Sequence, residues 1–269
     1  MIIDFHTHVF PDKIAHRTID TLAQKAENVP YTDGTVEGLL KAMERSNADI
    51  CVALPVLTKA SQFDSVTNFA IEINKRFENS NKKIISFAGM HPQCEDIDKK
   101  MQYLKSVGIK GVKIHPDYQG TFIDDAGYIE ILKCAKKYDL IVVTHAGVDD
   151  GYKDEPIRCP VDRVAKVIEK VNHDKFVLAH FGGHKQWQQV LDVLAGKNVY
   201  FDTAYTLHEI EKELFCNILE KHGTEKILFA TDCPWRDIKD DLAILRSIVK
   251  DQAVLENILY KNAKKLLNI

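Results

Sequence analysis

The residues in this chain best suited to chemistry are histidines that close short apolar runs. The first run ends in Asp4-Phe5-His6-Thr7-His8. On an extended strand, side chains two apart leave the same face, so His6 and His8 offer two imidazoles side by side, with Asp4 one layer deeper. That spacing suits two ligands of one metal ion, but alone it is a weak signal, because surface histidines are common. Further along, GVKIHP puts Lys113 and His115 on one face, and VVTHAG ends in His145. VLAHFGGH ends in His180, with His184 just beyond, and LFATDCPW ends in Asp232. A lone histidine in an apolar run is ordinarily a satisfied core residue. Five strand ends that deliver His, Lys/His, His, His and Asp in succession point instead to one assembled site. Imidazoles with a carboxylate suit zinc or a similar first-row divalent ion.

Placing those side chains together requires a particular scaffold. Short β-branched runs alternate with helical patterns along the whole chain. The strands are expected at 2–6, 50–53, 84–88, 111–115, 140–144, 176–179, 199–202 and 227–230. Apolar spacing of three and four predicts helices at 36–46, 66–79, 98–106, 128–138, 161–171, 184–195, 208–222 and 238–249, with a closing helix at 252–267. Eight strand-then-helix units imply a parallel sheet closed on itself, a (β/α)8 TIM barrel, and 269 residues fit its usual length of about 250. A doubly wound open sheet is the rival. Against it, the first strand runs straight into His-Thr-His, with no Gly-rich phosphate loop. No linker or repeat interrupts the chain, so residues 1–269 are read as a single domain. In such a barrel the chemistry sits at the C-terminal ends of the strands, where all these polar residues fall.

Taken in this order, the residues resemble the amidohydrolase superfamily. The phrases KIHPDYQ, THAG, AHFGG and FATDCPW are similar to its amidohydrolase-related branch, which holds aminocarboxymuconate-semialdehyde decarboxylase-like and resorcylate decarboxylase-like enzymes beside hydrolases. The resemblance runs from residue 4 to about 236, and ENILYKNAKKLL near the C-terminus is also similar. It implies that His6, His8, His145 and Asp232 ligate a divalent metal, with zinc expected. It places His180 as an acid, base or orienting group, and Asp232 doubles as proton acceptor from the metal-activated water. A bound zinc ion lowers the pKa of its water toward about 7, which explains that role. In two-metal members a strand-four lysine is carbamylated and bridges the ions. Lys113 stands at that position, and a second metal is therefore open. The alternative is an ammonium that binds a substrate carboxylate. His115 is a substrate contact or a hydrogen-bonded structural histidine.

Other residues carry less. Asp4 would support a ligand from behind or be a capped buried carboxylate. His91 is read as a loop residue, and His184 as a cap or pocket wall. Arg158 and Arg236 are candidate contacts for a substrate anion, and Tyr118, Gln119, Trp187 and Trp235 are expected around the mouth. His16, His173, His208 and His222 are read as surface residues. The segment from Val9 to about Gly34 is expected to be a long loop.

Composition narrows the function classes. Net charge is −3 with dispersed lysines, which gives no nucleic-acid footprint. MIIDFHTH is too short and charged for a secretory signal, and no apolar run approaches a membrane span. Six cysteines without a C-x-x-C pair are read as reduced thiols of a cytoplasmic protein. Oligomeric state is not legible, and a homo-oligomer is open. The leading expectation is a metal-dependent hydrolase of a small-molecule amide, lactone or ester. The alternative is a non-oxidative decarboxylase of a small aromatic or unsaturated acid. A metal-binding barrel without turnover is the third reading, disfavoured because every ligand position is filled.

Overall fold

The computed structural model describes all 269 residues. Nine parallel strands form the wall: β1 (Ile3–Thr7), β2 (Ile50–Ala53), β3 (Lys83–Ser86), β4 (Ala88–Gly89), β5 (Gly111–Ile114), β6 (Ile141–Thr144), β7 (Phe176–Leu178), β8 (Tyr200–Asp202) and β9 (Ile227–Leu228). Strands β3 and β4 are one stave interrupted at Phe87, so eight staves result. The last meets the first through backbone bonds, Phe5 N–H to Phe229 O at 2.9 Å and Asp232 N–H to His6 O at 2.8 Å. The barrel is therefore closed.

Two apolar layers hold it. Ile3, Phe5, Val52, Phe87, Val143, Val177 and Leu228 fill the interior, and Ala263, Leu266 and Leu267 of the last helix join them. That helix, Asn262–Leu267, plugs the end of the barrel away from the histidines. A larger layer lies between wall and helices, where Val112, Ile114, Leu178 and Phe201 meet the apolar stripes of the surrounding helices. No helix is long and apolar enough to cross a membrane.

Three expectations change. First, the segment after β1, expected to be a long loop, contains a helix, α1 (Asp12–Ala26). Ala15, Ile19, Leu22, Ala23 and Ala26 recur on it at helical spacing, so the pattern was present in the sequence. Second, the stretch expected to be helical from His184 has only a single turn at Trp187–Gln189 and a π-helical turn at Val190–Leu194. Lys185 there has φ +57°, which breaks a helix before it starts. The helix expected over 208–222 likewise begins only at Lys212. Third, β1 is not a regular strand. Asp4 pairs with Cys51 and Thr7 with Ala53, so three steps on β1 oppose two on β2. This extra residue is a bulge, and it reverses the alternation of faces. Phe5 and His6 both serve the interior, and Asp4 does not share the face of His6 and His8.

Candidate active site

A cavity of about 220 Å³ opens at the C-terminal ends of the strands. His6, His8, Lys113, His115, His145, His180, His184 and Asp232 line it, with Tyr118, Tyr205 and Trp235 among the walls. Residues that are far apart in the sequence thus meet because each ends or follows a stave.

Hydrogen bonds fix the state of three imidazoles. His8 Nδ1 lies 2.9 Å from the carbonyl oxygen of Leu54, which can only accept, so Nδ1 carries a hydrogen and Nε2 faces the cavity. His180 does the same with Ala204 O at 2.9 Å. His6 Nδ1 lies 2.9 Å from Asp202 Oδ2. Burial pushes the Asp202 carboxyl upward, but His6, His180 and Lys113 more than offset this and hold it below its ordinary value. The ionised carboxylate accepts, and His6 Nε2 faces the cavity as well.

The Nε2 atoms of His6 and His8 converge on Asp232. Its Oδ1 is 2.9 Å from His8 Nε2 and 3.2 Å from His6 Nε2. Burial raises the Asp232 pKa, but the neighbouring imidazoles lower it further, leaving the group well below the usual carboxylate range. His6, His8 and Asp232 bring three donor atoms within 4.8 Å of one another, close enough to hold one cation among them. This is the donor set of a divalent-metal site. Lys113 Nζ approaches the same His6 Nε2 at 3.1 Å from the side. Only 1% of Lys113 is exposed, and burial, opposed by Asp202 and Asp232, brings its pKa to about 8.

His145 stands one step away. Its Nδ1 is 3.0 Å from His180 Nε2, and its buried Nε2 has no hydrogen-bond partner, with Asp117 Oδ2 at 3.9 Å. His115 stacks between His145 and Tyr118, with centroids 4.3 and 3.9 Å away, and its Nε2 faces Asp149 Oδ2 at 3.3 Å. Burial lowers the pKa of both histidines well below the ordinary value, and His180 falls to about 3 for the same reason. His115, His145 and His180 are therefore neutral lone-pair donors at neutral pH.

Residues 3–269 match the family profile described as amidohydrolase. The chain belongs to the amidohydrolase family of enzymes. No curated protein matches it. Solved structures share the fold at low identity. A TIM-barrel protein from Bordetella bronchiseptica superposes with a TM-score of 0.77 at 15% identity, covering 99% of this chain and 98% of its own. The 2,6-dihydroxybenzoate decarboxylase from Rhizobium gives 0.71 at 14%, covering 99% and 98%. A 5-carboxyvanillate decarboxylase from Novosphingobium aromaticivorans, solved with bound manganese, gives 0.73 at 11%, covering 100% and 97%.

Some of the chain's residues lie elsewhere than their sequence context indicates, and others, such as Asp4 and His184, keep one of the places expected of them. Arg158, expected as an anion contact, does not line the cavity: its Nη2 pairs with Glu155 at 2.6 Å. Arg236 is likewise turned away, onto the buried Asp241 at 2.9 Å. Asp4 accepts from Thr231 N–H and Oγ1–H behind the strand. His184 lines the cavity from the stretch before a helix, near Asp150 and Glu209. His91 is buried, with Nδ1 accepting from Gln93 N–H. His173 is buried rather than on the surface, donating to Leu140 O, and His222 is half-buried against Phe201. Asp202 was missed altogether. Its signal was the same as for Asp232, a carboxylate closing an apolar strand in VYFDT.

Proposed function

We propose that this chain is a divalent-metal-dependent decarboxylase of a small aromatic or unsaturated carboxylic acid. Hydrolysis of an amide, lactone or ester, which the residue types alone put first, uses the same groups. The decarboxylase reading takes precedence because two of the solved structures that share this fold end to end are decarboxylases of aromatic acids.

The carrying observation is the meeting of the Nε2 atoms of His6 and His8 with Asp232 Oδ1 beside the ammonium of Lys113. His6, His8 and Asp232 would hold the metal, with His145 as the fourth ligand. Zinc suits this set, and manganese, present in one neighbour, is the other ion to test. When bound, such an ion supplies a Lewis acid that neutralises charge developing on substrate oxygens.

The chain's own residues do the rest. Lys113 is the only lysine or arginine lining the cavity, so it is assigned to the substrate carboxylate, with carbamylation as the competing state. Val9, Phe10, Pro55, Val56, Val148 and Trp235 offer the apolar wall an unsaturated ring needs and exclude water from it. As the bond to the carboxylate breaks and carbon dioxide leaves, the substrate carbon must gain one proton. That proton comes from solvent: His180 is neutral and Asp232 ionised at neutral pH, so either would relay it, taking a proton from water as the carbon receives one.

A substrate panel tests this reading. Metal-loaded protein should release carbon dioxide from hydroxybenzoates or unsaturated acids and leave esters, lactones and amides intact. Hydrolysis without carbon dioxide release would replace it with the hydrolase. Bound metal with no turnover on any of them would make the chain a binding barrel.

A further inference from the structure

We infer that Asp202 is the positioning residue that fixes the proton of His6 on Nδ1 and ties that imidazole to the loop carrying His180. The inference rests on the metal-centre reading above and concerns how the chain prepares its ligand before any ion arrives.

Asp202 closes β8 and is wholly buried. Its two oxygens divide their work. Oδ2 accepts from His6 Nδ1–H at 2.9 Å. Oδ1 accepts from the backbone N–H of His180 at 2.9 Å and of Ala204 at 3.1 Å. Ala204 in turn offers its carbonyl to His180 Nδ1–H at 2.9 Å. One carboxylate therefore sets the tautomer of His6 and, through two amides, the place and tautomer of His180.

An imidazole has one hydrogen to place when neutral. With a carboxylate oxygen at Nδ1, the hydrogen goes there and Nε2 keeps its lone pair for the metal. His8 depends on a backbone carbonyl for the same service, which no side-chain substitution removes. His6 depends on a side chain, so its readiness as a ligand can be tested by one substitution.

Asp202→Asn is nearly isosteric and discriminating. The amide oxygen stays on the two backbone donors, because the reverse orientation would set an NH2 group against both. The NH2 then faces His6 Nδ1, which must become the acceptor, and the hydrogen moves to Nε2. The variant should keep its thermal midpoint within a few degrees but bind zinc or manganese about 10- to 100-fold more weakly by competition titration with a chelating dye. Unchanged metal affinity in the folded variant would overturn the inference.

Should the variant fail to fold, nitrogen-15 NMR of metal-free wild-type protein gives the answer. His6 is expected as the Nδ1–H tautomer, and an Nε2–H signal would overturn the assignment. If wild-type protein binds neither ion, the metal-centre reading fails. The tautomer measurement still decides the role of Asp202.

Discussion

His8 Nε2 and Asp232 Oδ1 stand 2.9 Å apart, while the Leu54 carbonyl holds a hydrogen on the other nitrogen of the same ring. Without an ion the two atoms can share a hydrogen; a divalent ion bound by both would take its place. Such an ion finds both atoms together only in the folded chain. Binding of the ion is therefore linked to stability. At a free metal concentration a hundredfold above its Kd, the folded state should gain about 2.7 kcal/mol. A thermal midpoint that does not move when zinc or manganese is added to chelated protein would contradict this.

Asp232→Asn should retain some metal, because the imidazoles remain, but lose most turnover, because a carboxylate able to take a proton is gone. Rates near wild type would remove Asp232 from the chemistry. By contrast, His184→Ala should keep its metal, because its Nε2 faces Asp150 and Glu209 rather than Asp232. Metal loss in that variant would show that the ligand set is wrong.

Lys113→Met should raise KM for a carboxylic acid about 10- to 100-fold, the scale of one charge-assisted hydrogen bond. Methionine fills the same buried volume, so the fold should persist. Steady-state kinetics on the active acid would decide the point. An unchanged KM would leave Lys113 without a substrate role and turn attention to a carbamate, detectable as added mass on intact protein.

Gly147 gives a structural test. It follows His145, has φ +86°, and a Cβ there would lie 2.2 Å from the backbone nitrogen of His184. Gly147→Ala should cost several kcal/mol in urea unfolding, through strain and a backbone clash. Gly108, with φ +80° and open space around it, should lose only about 1 kcal/mol on the same substitution. Equal losses would show that the close approach to His184 is not what the glycine serves.

His222 sets an acid limit on stability. Its Nδ1 accepts from Gly196 N–H at 3.1 Å and its Nε2 donates to Val199 O at 3.1 Å, so a second proton has no place. Burial, aided by Lys226 and opposed by the Val199 bond, lowers its pKa to about 4. The unfolded chain takes up that proton near 6.5, so the stability contribution is complete above 6.5 and is lost as pH falls from there through about 4. The slope from this group approaches 1.4 kcal/mol per pH unit. His222→Gln should show a shallower fall in urea midpoint over that window. An identical slope would contradict the assignment.

The staves were legible because each is a short apolar run, and the site was legible because polar residues at their ends have no packing reason to be there. Asp4 was misplaced because a bulge is a matter of register between β1 and β2, and a single strand's sequence does not carry it. α1 was legible in the spacing of Ala15, Ile19, Leu22 and Ala26, but it follows the first strand's His-Thr-His where a long βα loop was expected. Asp202 had a visible signal, but its importance lies in what it accepts from His6 and His180, 196 and 22 positions away. Arg158 drew attention as a cation near the mouth, yet its Nη2 is paired with Glu155, three residues earlier, and it does not line the cavity.

The most direct test of the metal centre is elemental analysis of the purified chain, paired with turnover before and after exhaustive chelation. The expected result is at least one divalent ion per chain, activity lost with it, and activity restored by zinc or manganese in wild type but not in His8→Ala. Full turnover by metal-free protein would contradict it.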